Sequence, residues 1–351
     1  MKIVEMYGES RVGVINVPEP QPRDNWVVVK VVASTICGTE ARTYQYGRDQ
    51  SQSHFYNSGH EAAGIVWQAG PQARIAEGTR VAVMAHMGEQ CGQCSFCYQG
   101  LWLLCTNQTE GGDEYVGTHS QYILRPDSHC IAMPDDVPFE IGSILVDAVG
   151  TPYRAIRRLG VDGFDTVLIT GLGPLGASAS IICEALGARV IASEPAEFRR
   201  SRAREYGVEV AIDPVSEDAL ERVLELTNGR GVDIALDFTG YTEPQVLCLD
   251  AAKVGGSVGF IGLKYDETPE GPVPRATPVT VAGHLLPKEL TLIGSWSLTP
   301  QELLELLELV RNGLPVEKLI THRFGIDEAQ EAYETAFNQR GCKVIIDPWL
   351  D

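Results

Sequence analysis

The sequence is poor in positive charge. Its 351 residues carry 28 lysines and arginines against 47 aspartates and glutamates, which gives a formal net charge of −19. Proteins that bind nucleic acid or anionic membrane surfaces need a basic patch that outweighs the surrounding field, and no such patch stands out here. The composition therefore argues against both kinds of partner.

The chain also lacks a long uninterrupted hydrophobic run. Its most apolar region, 165–195, is broken by glycines and a proline, so we expect no membrane span. The opening residues, MKIVEMYGESRVGVINV, alternate like a strand and include acids, which is unlike a secretory signal peptide. Internal repeats and low-complexity tracts are absent as well. We therefore expect a cytoplasmic globular protein, long enough for two domains.

Nine cysteines are present, but their distribution does not suggest a disulfide framework. Cys91, Cys94, Cys97 and Cys105 crowd into one segment with the spacing C-x2-C-x2-C-x7-C. Four thiolates so placed suit a closed tetrahedral zinc site in a reducing compartment, whereas unligated surface thiols would oxidise. An iron–sulfur cluster uses similar ligands and remains the alternative. The spacing predicts a structural metal site.

The segment 165–195 has the pattern of a strand, a glycine turn, a helix and a second strand. Gly171, Gly173 and Gly176 form G-x-G-x-x-G after a short apolar run, and the helix is predicted for 174–186. The glycines permit a tight turn, close approach of the backbone to a pyrophosphate, and close packing of helix on strand. The helix N-terminus would present N–H groups to the phosphates. This pattern predicts dinucleotide binding.

An acid after the second strand bears on the choice of coenzyme. Glu194 stands 18 residues beyond the last glycine of the turn, where it can accept hydrogen bonds from an adenosine ribose. That placement favours NAD over NADP. Arg199 and Arg200 follow closely and can instead meet a 2′-phosphate, so NADP stays open.

Strands and helices alternate from about residue 150 to 290, which implies a doubly wound parallel sheet. Thr239 ends the strand in VDIALDFTG, and Gly262 and Leu263 end the strand in SVGFIGL. Because ligands bind beyond the carboxyl ends of such strands, these turns are expected to line a nicotinamide pocket.

Residues 1–150 instead consist of short strands separated by turns, without helix periodicity. The clearest strand is VVVKVVAS at 27–34, followed later by HEAAGIVWQAG and GTRVAVMAHM. This predicts an all-β, barrel-like domain. Cys37, just after the first of these strands, and His60, at the start of the second, would each be ordinary core residues if they stood alone.

Together these motifs resemble the zinc-containing medium-chain dehydrogenase/reductase family, in its polyol, sugar and threonine dehydrogenase branch, over essentially the whole chain. The four-cysteine lobe has the family's spacing, and GLGPLG, with Pro174 and Leu175, falls on its coenzyme turn. The resemblance implies an α/β fold: a β-rich GroES-like catalytic domain over 1–148, a doubly wound Rossmann coenzyme domain over 149–289, and a return to the catalytic domain over 290–351.

The resemblance also implies a catalytic zinc. ICGTE places Cys37 on the family's first ligand, SGHEAAG places His60 on the second, and ILVDAVGTPYRAI places Asp147 on the third. Glu61, beside His60, is expected to enter the shell as a fourth ligand. Three protein ligands leave an open position for an alcohol oxygen, and a nicotinamide coenzyme carries the hydride.

Further roles follow from the same resemblance, with departures. Thr39 is expected to contact the substrate oxygen, and Glu40 stands where the family has an aspartate that orients a ligand histidine. Arg42 replaces a histidine that completes the proton relay in many relatives, and arginine does not exchange a proton near neutral pH. The relay then ends at the ribose hydroxyls and water or uses another group; His54 is one candidate, although a surface histidine is the more common explanation. Lys343 falls where the family has a basic residue on the pyrophosphate, although a solvated strand lysine fits equally well.

The expected function is zinc-dependent hydride transfer between a secondary alcohol of a polyol, sugar or cyclitol and NAD(P). One catalytic and one structural zinc per chain and a homo-oligomer, dimer or tetramer, accompany that expectation. An L-threonine or amino-alcohol dehydrogenase is the first alternative. A cofactor-binding regulatory protein that has lost catalysis is the second.

Overall fold

A computed structural model of the chain describes residues 1–47, 58–85, 88–109, 117–268, 271–277, 279–338 and 340–350. The chain forms two compact units. Unit 1 comprises Met1–Gly150, Ser297–Gly313 and Ile320–Asp351, and unit 2 comprises Thr151–Trp296 and Leu314–Leu319. In the described part of the chain, no helix has the length and apolar character needed to cross a membrane.

The strands are numbered in chain order. They are β1 Lys2–Gly8, β2 Arg11–Asn16, β3 Trp26–Thr35, β4 Glu61–Ala69, β5 Arg80–Val83, β6 Tyr122–Pro126, β7 Cys130–Ala132, β8 Thr166–Thr170, β9 Arg189–Ser193, β10 Val210–Ile212, β11 Val232–Asp237, β12 Ala252–Phe260, β13 Tyr265–Thr268, β14 Gly271–Pro274, β15 Thr291–Gly294, β16 Ile320–Gly325 and β17 Lys343–Asp347.

The α-helices of the described residues range from a single turn to 12 residues. They are α1 Ala41–Tyr46, α2 Ser95–Tyr98, α3 Phe139–Ile144, α4 Gly150–Leu159, α5 Pro174–Ala185, α6 Glu197–Ser201, α7 Ala219–Leu226, α8 Thr242–Ala251, α9 Leu286–Lys288, α10 Pro300–Arg311 and α11 Ala329–Phe337. Leu145–Val149 and Val281–Leu285 are π-helical turns, and a 3-10 turn covers Gly38–Glu40.

The main sheet of unit 1 is built around β3. Its strand order is β16-β17-β3-β4-β5-β7, with β6 also paired to β3, and valines of β3 form part of the buried core. Branched side chains such as valine pack well on a pleated sheet, which accounts for the long central strand. The antiparallel register pairs Thr35 of β3 with Glu61 of β4. The end of β3 and the start of β4 therefore meet.

The sheet of unit 2 is parallel throughout and has six strands in the order β10-β9-β8-β11-β12-β15. This is the doubly wound dinucleotide-binding order, with the reversal beside β8. The fold class expected from the sequence is confirmed. The coenzyme domain is expected to end at residue 289, but its sheet continues beyond that point. Strand β15 pairs with β12, and the last pair is Phe260 with Gly294.

Candidate metal centres and coenzyme turn

The first candidate centre lies in unit 1, where β3 ends and β4 begins. Cys37 follows β3, His60 precedes β4, and Asp147 comes from the π-helical turn after α3. Asp147 Oδ2 lies 3.0 Å from His60 Nε2 and 3.5 Å from Cys37 Sγ. With Glu61, these residues bring one potential ligand atom each to within 4.8 Å of one another.

The electrostatics of this cluster suit a divalent cation. Burial raises the pKa of the Cys37 thiol and of the Glu61 carboxyl, and the nearby Asp147 charge raises both further. Burial alone would lower the pKa of His60, but Cys37 and Asp147 outweigh it and raise that pKa well above its usual range. One sulfur, one imidazole nitrogen and carboxylate oxygens form a donor set that zinc accepts. The residues present therefore fit the metal expected from the sequence.

Glu61 already has a strong partner in the structure. Its carboxylate oxygens lie 2.7 and 2.9 Å from Lys343 Nζ, which also donates to the Ile36 carbonyl at 2.9 Å. The Thr35 hydroxyl donates a further hydrogen bond to Glu61. Lys343 is completely buried. Lys343 is therefore not a solvated strand lysine, because it is buried and paired with Glu61 inside unit 1. Its expected contact with a pyrophosphate stays a prediction.

Glu40 has two partners that the sequence motifs do not indicate. It is completely buried, its Oε1 accepts the Cys37 N–H at 3.1 Å, and its Oε2 lies 3.2 Å from His119 Nε2. The Tyr333 hydroxyl donates to the same Oε2. Glu40 thus bonds His119 and Tyr333, and its expected role in orienting the candidate ligand His60 stays a prediction. Nothing local in the sequence indicates His119 or Tyr333, since both are remote from ICGTE in the chain.

Of the three residues considered for proton transfer, the structure describes two. Thr39 is exposed in the 3-10 turn Gly38–Glu40, next to Cys37. Arg42 lies in α1 and is partly buried. His54 falls outside the described residues. The route of the proton beyond Thr39 stays a prediction.

The second candidate centre is the four-cysteine lobe. The sulfur pairs Cys94–Cys97 and Cys91–Cys105 are each 3.5 Å apart, and Cys91–Cys97 is 4.0 Å apart. A tetrahedral zinc with bonds of about 2.3 Å holds its sulfurs about 3.8 Å apart. The backbone N–H of Cys97 lowers the pKa of the Cys94 thiol to about 6, while burial and the neighbouring Cys94 raise the pKa of the Cys97 thiol to about 12. Four sulfurs so close together would all become thiolates only with a cation between them. The lobe therefore fits a closed structural site.

The glycine turn of unit 2 has the form that the sequence predicts. Gly171 has a positive φ of 85°, and a Cβ on Gly176 would lie 1.8 Å from the Gly171 carbonyl oxygen. Gly173 caps helix α5, which begins at Pro174 and continues through Leu175. Gly171 is required for its left-handed backbone conformation, and Gly176 is required for the close contact between helix and strand.

Glu194 stands directly after β9 and is buried beside the turn. Its carboxylate accepts the N–H groups of Leu172 at 2.7 Å and Ala196 at 2.8 Å. Arg199 lies 3.6 Å from the same carboxylate. Arg200 is engaged elsewhere, with Asp213 at 2.9 Å and with backbone carbonyls. Both arginines are therefore partnered by carboxylates.

Two further strand ends lie beside the turn. A Cβ on Gly171 would meet the Thr239 methyl group at 2.6 Å, so the ends of β8 and β11 are in contact. The Thr239 hydroxyl donates to Asp237 at 2.6 Å. After β12, Gly262 packs closely on the backbone of 238–240, and Leu263 is exposed. The three residues expected to line a nicotinamide pocket thus follow neighbouring strands at the carboxyl edge of the sheet.

Comparison with known proteins places the chain in a family. The family model for the alcohol dehydrogenase GroES-like domain matches residues 23–135, and that for zinc-binding dehydrogenases matches residues 174–312. The chain belongs to the zinc-type medium-chain dehydrogenases of the alcohol dehydrogenase superfamily, as the sequence motifs predict.

Its relatives include L-threonine 3-dehydrogenase of Pyrococcus abyssi, which is 32% identical over 98% of this chain and 97% of its own. A putative zinc-binding dehydrogenase of Sinorhizobium meliloti, solved bound to NADP, is 26% identical, with a TM-score of 0.83 over 99% of both chains. The alcohol dehydrogenase of Thermus sp. ATN1 shares the fold, with 24% identity and a TM-score of 0.87 over 99% of both chains.

Proposed function

We propose that this protein oxidises a secondary alcohol of a polyol, sugar or cyclitol with NAD, and that it uses a catalytic zinc. The observation that carries the proposal is the cluster of Cys37, His60 and Asp147, whose potential ligand atoms lie within 4.8 Å of one another in unit 1. Family membership supports the reaction class. The dinucleotide turn of unit 2 supports a nicotinamide coenzyme.

In this proposal Cys37, His60 and Asp147 would hold the metal, and Glu61 would serve as a fourth ligand in the absence of substrate. When bound, zinc would act as a Lewis acid toward the alcohol oxygen, and the nicotinamide would accept the hydride. The exposed Thr39 hydroxyl accepts the proton of the substrate hydroxyl and passes it outward. Arg42 keeps its proton, so the relay continues through water or the coenzyme ribose.

We infer a preference for NAD from the charges around Glu194. Its buried carboxylate is held by two backbone N–H groups and so stays beside the place predicted for the adenosine ribose. A 2′-phosphate there would meet this negative charge, while ribose hydroxyls would donate to it. Arg200 is committed to Asp213, and Arg199 faces Glu194, so neither arginine is left without an acidic neighbour.

A second substrate is favoured by a specific observation: several relatives over nearly the whole chain are L-threonine 3-dehydrogenases. L-threonine is also a secondary alcohol, and its oxidation needs the same metal ligands and coenzyme. The two candidates therefore differ in the substrate pocket and not in the chemistry of the cluster.

The deciding experiment follows NADH and NADPH formation with polyols, aldoses, cyclitols, simple alcohols and L-threonine, each with and without a chelator. We expect turnover with a secondary alcohol that carries further hydroxyls, loss of turnover on chelation, and kcat/KM at least about tenfold higher with NAD. Turnover with L-threonine alone would replace the polyol proposal by the second candidate.

The variant Cys37→Ala separates catalysis from coenzyme binding. It removes one metal ligand and should abolish turnover, while NADH titrated into the variant should bind as it does to wild type. Turnover that survives in Cys37→Ala would refute the zinc mechanism. Coenzyme binding by wild type without turnover on any alcohol of the panel would support a non-catalytic protein.

A further inference from the structure

We propose that His119 and Tyr333 are positioning residues for the candidate catalytic metal centre, and that they act on its ligands through Glu40 and through the backbone beside His60. The inference rests on the proposed function, because it assigns these residues to that centre. Neither residue belongs to the motifs by which the sequence resembles its family.

Glu40 is the first route from these residues to the metal. Its carboxylate accepts the Cys37 N–H, and its own N–H donates to the Cys37 carbonyl at 3.1 Å. The first bond joins the Glu40 side chain to the N-cap backbone, as in one half of a capping box, and the second is the i to i+3 bond of the 3-10 turn. Together they fix the backbone of Cys37 at the start of the turn Gly38–Glu40. The position of the Cys37 sulfur therefore depends on the position of the Glu40 side chain.

His119 and Tyr333 in turn hold Glu40. All three side chains are completely buried, so water cannot satisfy the carboxylate, which must find its donors within the protein. Because an ionised carboxylate only accepts hydrogen bonds, His119 donates from Nε2 and Tyr333 donates from its hydroxyl, both to Oε2. The His119 and Tyr333 rings also meet edge to face, with centroids 5.8 Å apart. Loss of either donor leaves a buried charge short of a partner.

His119 has a second route to the centre, through the segment that carries His60 and Glu61. A Cβ on Gly59 would lie 2.8 Å from the His119 ring, so the imidazole packs directly on the backbone before His60. On its other side, His119 Nδ1 lies 2.7 Å from Ser34 Oγ, and Ser34 Oγ lies 3.0 Å from the Glu61 carbonyl oxygen. The buried His119 imidazole thus packs on the backbone before His60. It is linked through Glu40 to Cys37 and through Ser34 to Glu61.

The experiment measures the release of zinc from the whole protein to a chelating dye. Cys37→Ala identifies the phase that belongs to the candidate catalytic centre, and the zinc of the four-cysteine lobe serves as an internal control in every sample. Partners that orient metal ligands change metal affinity by about 10- to 100-fold when removed. We expect Tyr333→Phe and His119→Leu to release the catalytic zinc at least about tenfold faster, with the four-cysteine phase unchanged.

Two further variants exclude a merely structural effect. Tyr44→Phe removes a hydroxyl from the same core, where Tyr44 packs 5.3 Å from Tyr333 but bonds Gln330 instead of Glu40; it should release zinc as wild type does. His119→Gln keeps an N–H donor for Glu40 and should recover part of the loss seen in His119→Leu. With cobalt in place of zinc, only the variants that disturb Glu40 should alter the thiolate–cobalt absorption of this centre.

The outcomes separate this inference from the proposed function. If Cys37→Ala and wild type release the same amount of zinc, the centre holds no metal, and both the proposed function and the inference fail. If Cys37→Ala lacks one phase but Tyr333→Phe and His119→Leu release zinc at the wild-type rate, only the positioning role is overturned. An equal acceleration in Tyr44→Phe would also overturn it, because that variant leaves Glu40 untouched.

Discussion

At the scale of single residues, the informative feature is a buried positive charge beside a candidate metal ligand. The Lys343 ammonium has no access to solvent, and its neighbours are the two Glu61 oxygens and the Ile36 carbonyl. Removing an ion from water costs several kcal/mol unless a partner of opposite charge and further hydrogen bonds replace the water. Glu61 and Lys343 therefore depend on each other for their burial.

Lys343→Met tests this dependence. The substitution keeps the apolar volume but leaves Glu61 buried without its cation, so the free energy of unfolding should fall by about 3 kcal/mol. Urea unfolding followed by circular dichroism measures the change. The double variant Glu61→Gln/Lys343→Met buries no charge and should recover most of the loss. A single variant as stable as wild type would show that the pair is not coupled in this way.

At the scale of elements, one carboxylate connects three neighbouring strands of the parallel sheet. Asp233 of β11 accepts the N–H of Thr166 in β8 at 2.8 Å and forms an ion pair with Lys253 of β12. The register between β11 and β12 shifts at this point, between Val232 and Ile234. Asp233 thus provides a link where the regular ladder of hydrogen bonds is interrupted.

The pH dependence of this link has a definite sign. Burial alone would raise the pKa of Asp233, but the hydrogen bonds from Lys253 and Thr166 outweigh it and lower that pKa below its usual value of 3.8. A lowered pKa in the folded state means that the stabilisation is complete above pH 3.8 and is lost as the pH falls further. Asp233→Asn should cost about 1 kcal/mol at pH 7. Urea midpoints of variant and wild type should converge below pH 3.8, and a constant difference would contradict the assignment.

At the scale of the whole molecule, the two candidate metal centres have different tasks. The four-cysteine lobe offers four sulfurs and no open position, while the Cys37 cluster offers mixed ligands. Metal bound to a closed site contributes its binding free energy to folding. Removing a ligand from the lobe should therefore affect stability, and removing one from the other cluster should affect chemistry.

Cys94→Ser tests the division between the two centres. We expect a melting temperature lower by about 5 °C or more, since each kcal/mol lost shifts it by about 2–4 °C in a domain of this size. The kcat/KM of the folded variant should stay within about threefold of wild type. Calorimetry and steady-state assays below the melting transition give both values. An unchanged melting temperature with lost activity would reverse the two assignments.

Much of the coenzyme-binding unit follows from the sequence alone. The helix predicted for 174–186 is Pro174–Ala185 in the structure. The glycine turn is likewise predicted directly by its sequence motif. These features are local: a positive φ, a proline at a helix start and an apolar run act over a few residues, so their signals lie next to the structure they produce.

Other features needed the folded chain. Strands β13 and β14 pair in a proline-rich stretch, and Trp296 is 72% exposed although tryptophan is highly buried on average. The sequence places Cys37, His60 and Asp147 in recognisable motifs, but it is the antiparallel register of β3 and β4 that brings the first two together.

By itself, the sequence determined the fold class and the family, and the resemblance to that family pointed to the residues of both candidate metal clusters. Only the tertiary structure decided what surrounds those residues. Lys343 meets Glu61 across 282 positions of the chain, and His119 meets Glu40 across 79. Such partners are selected by packing and by the need to satisfy buried charge, and neither constraint leaves a local pattern in the sequence.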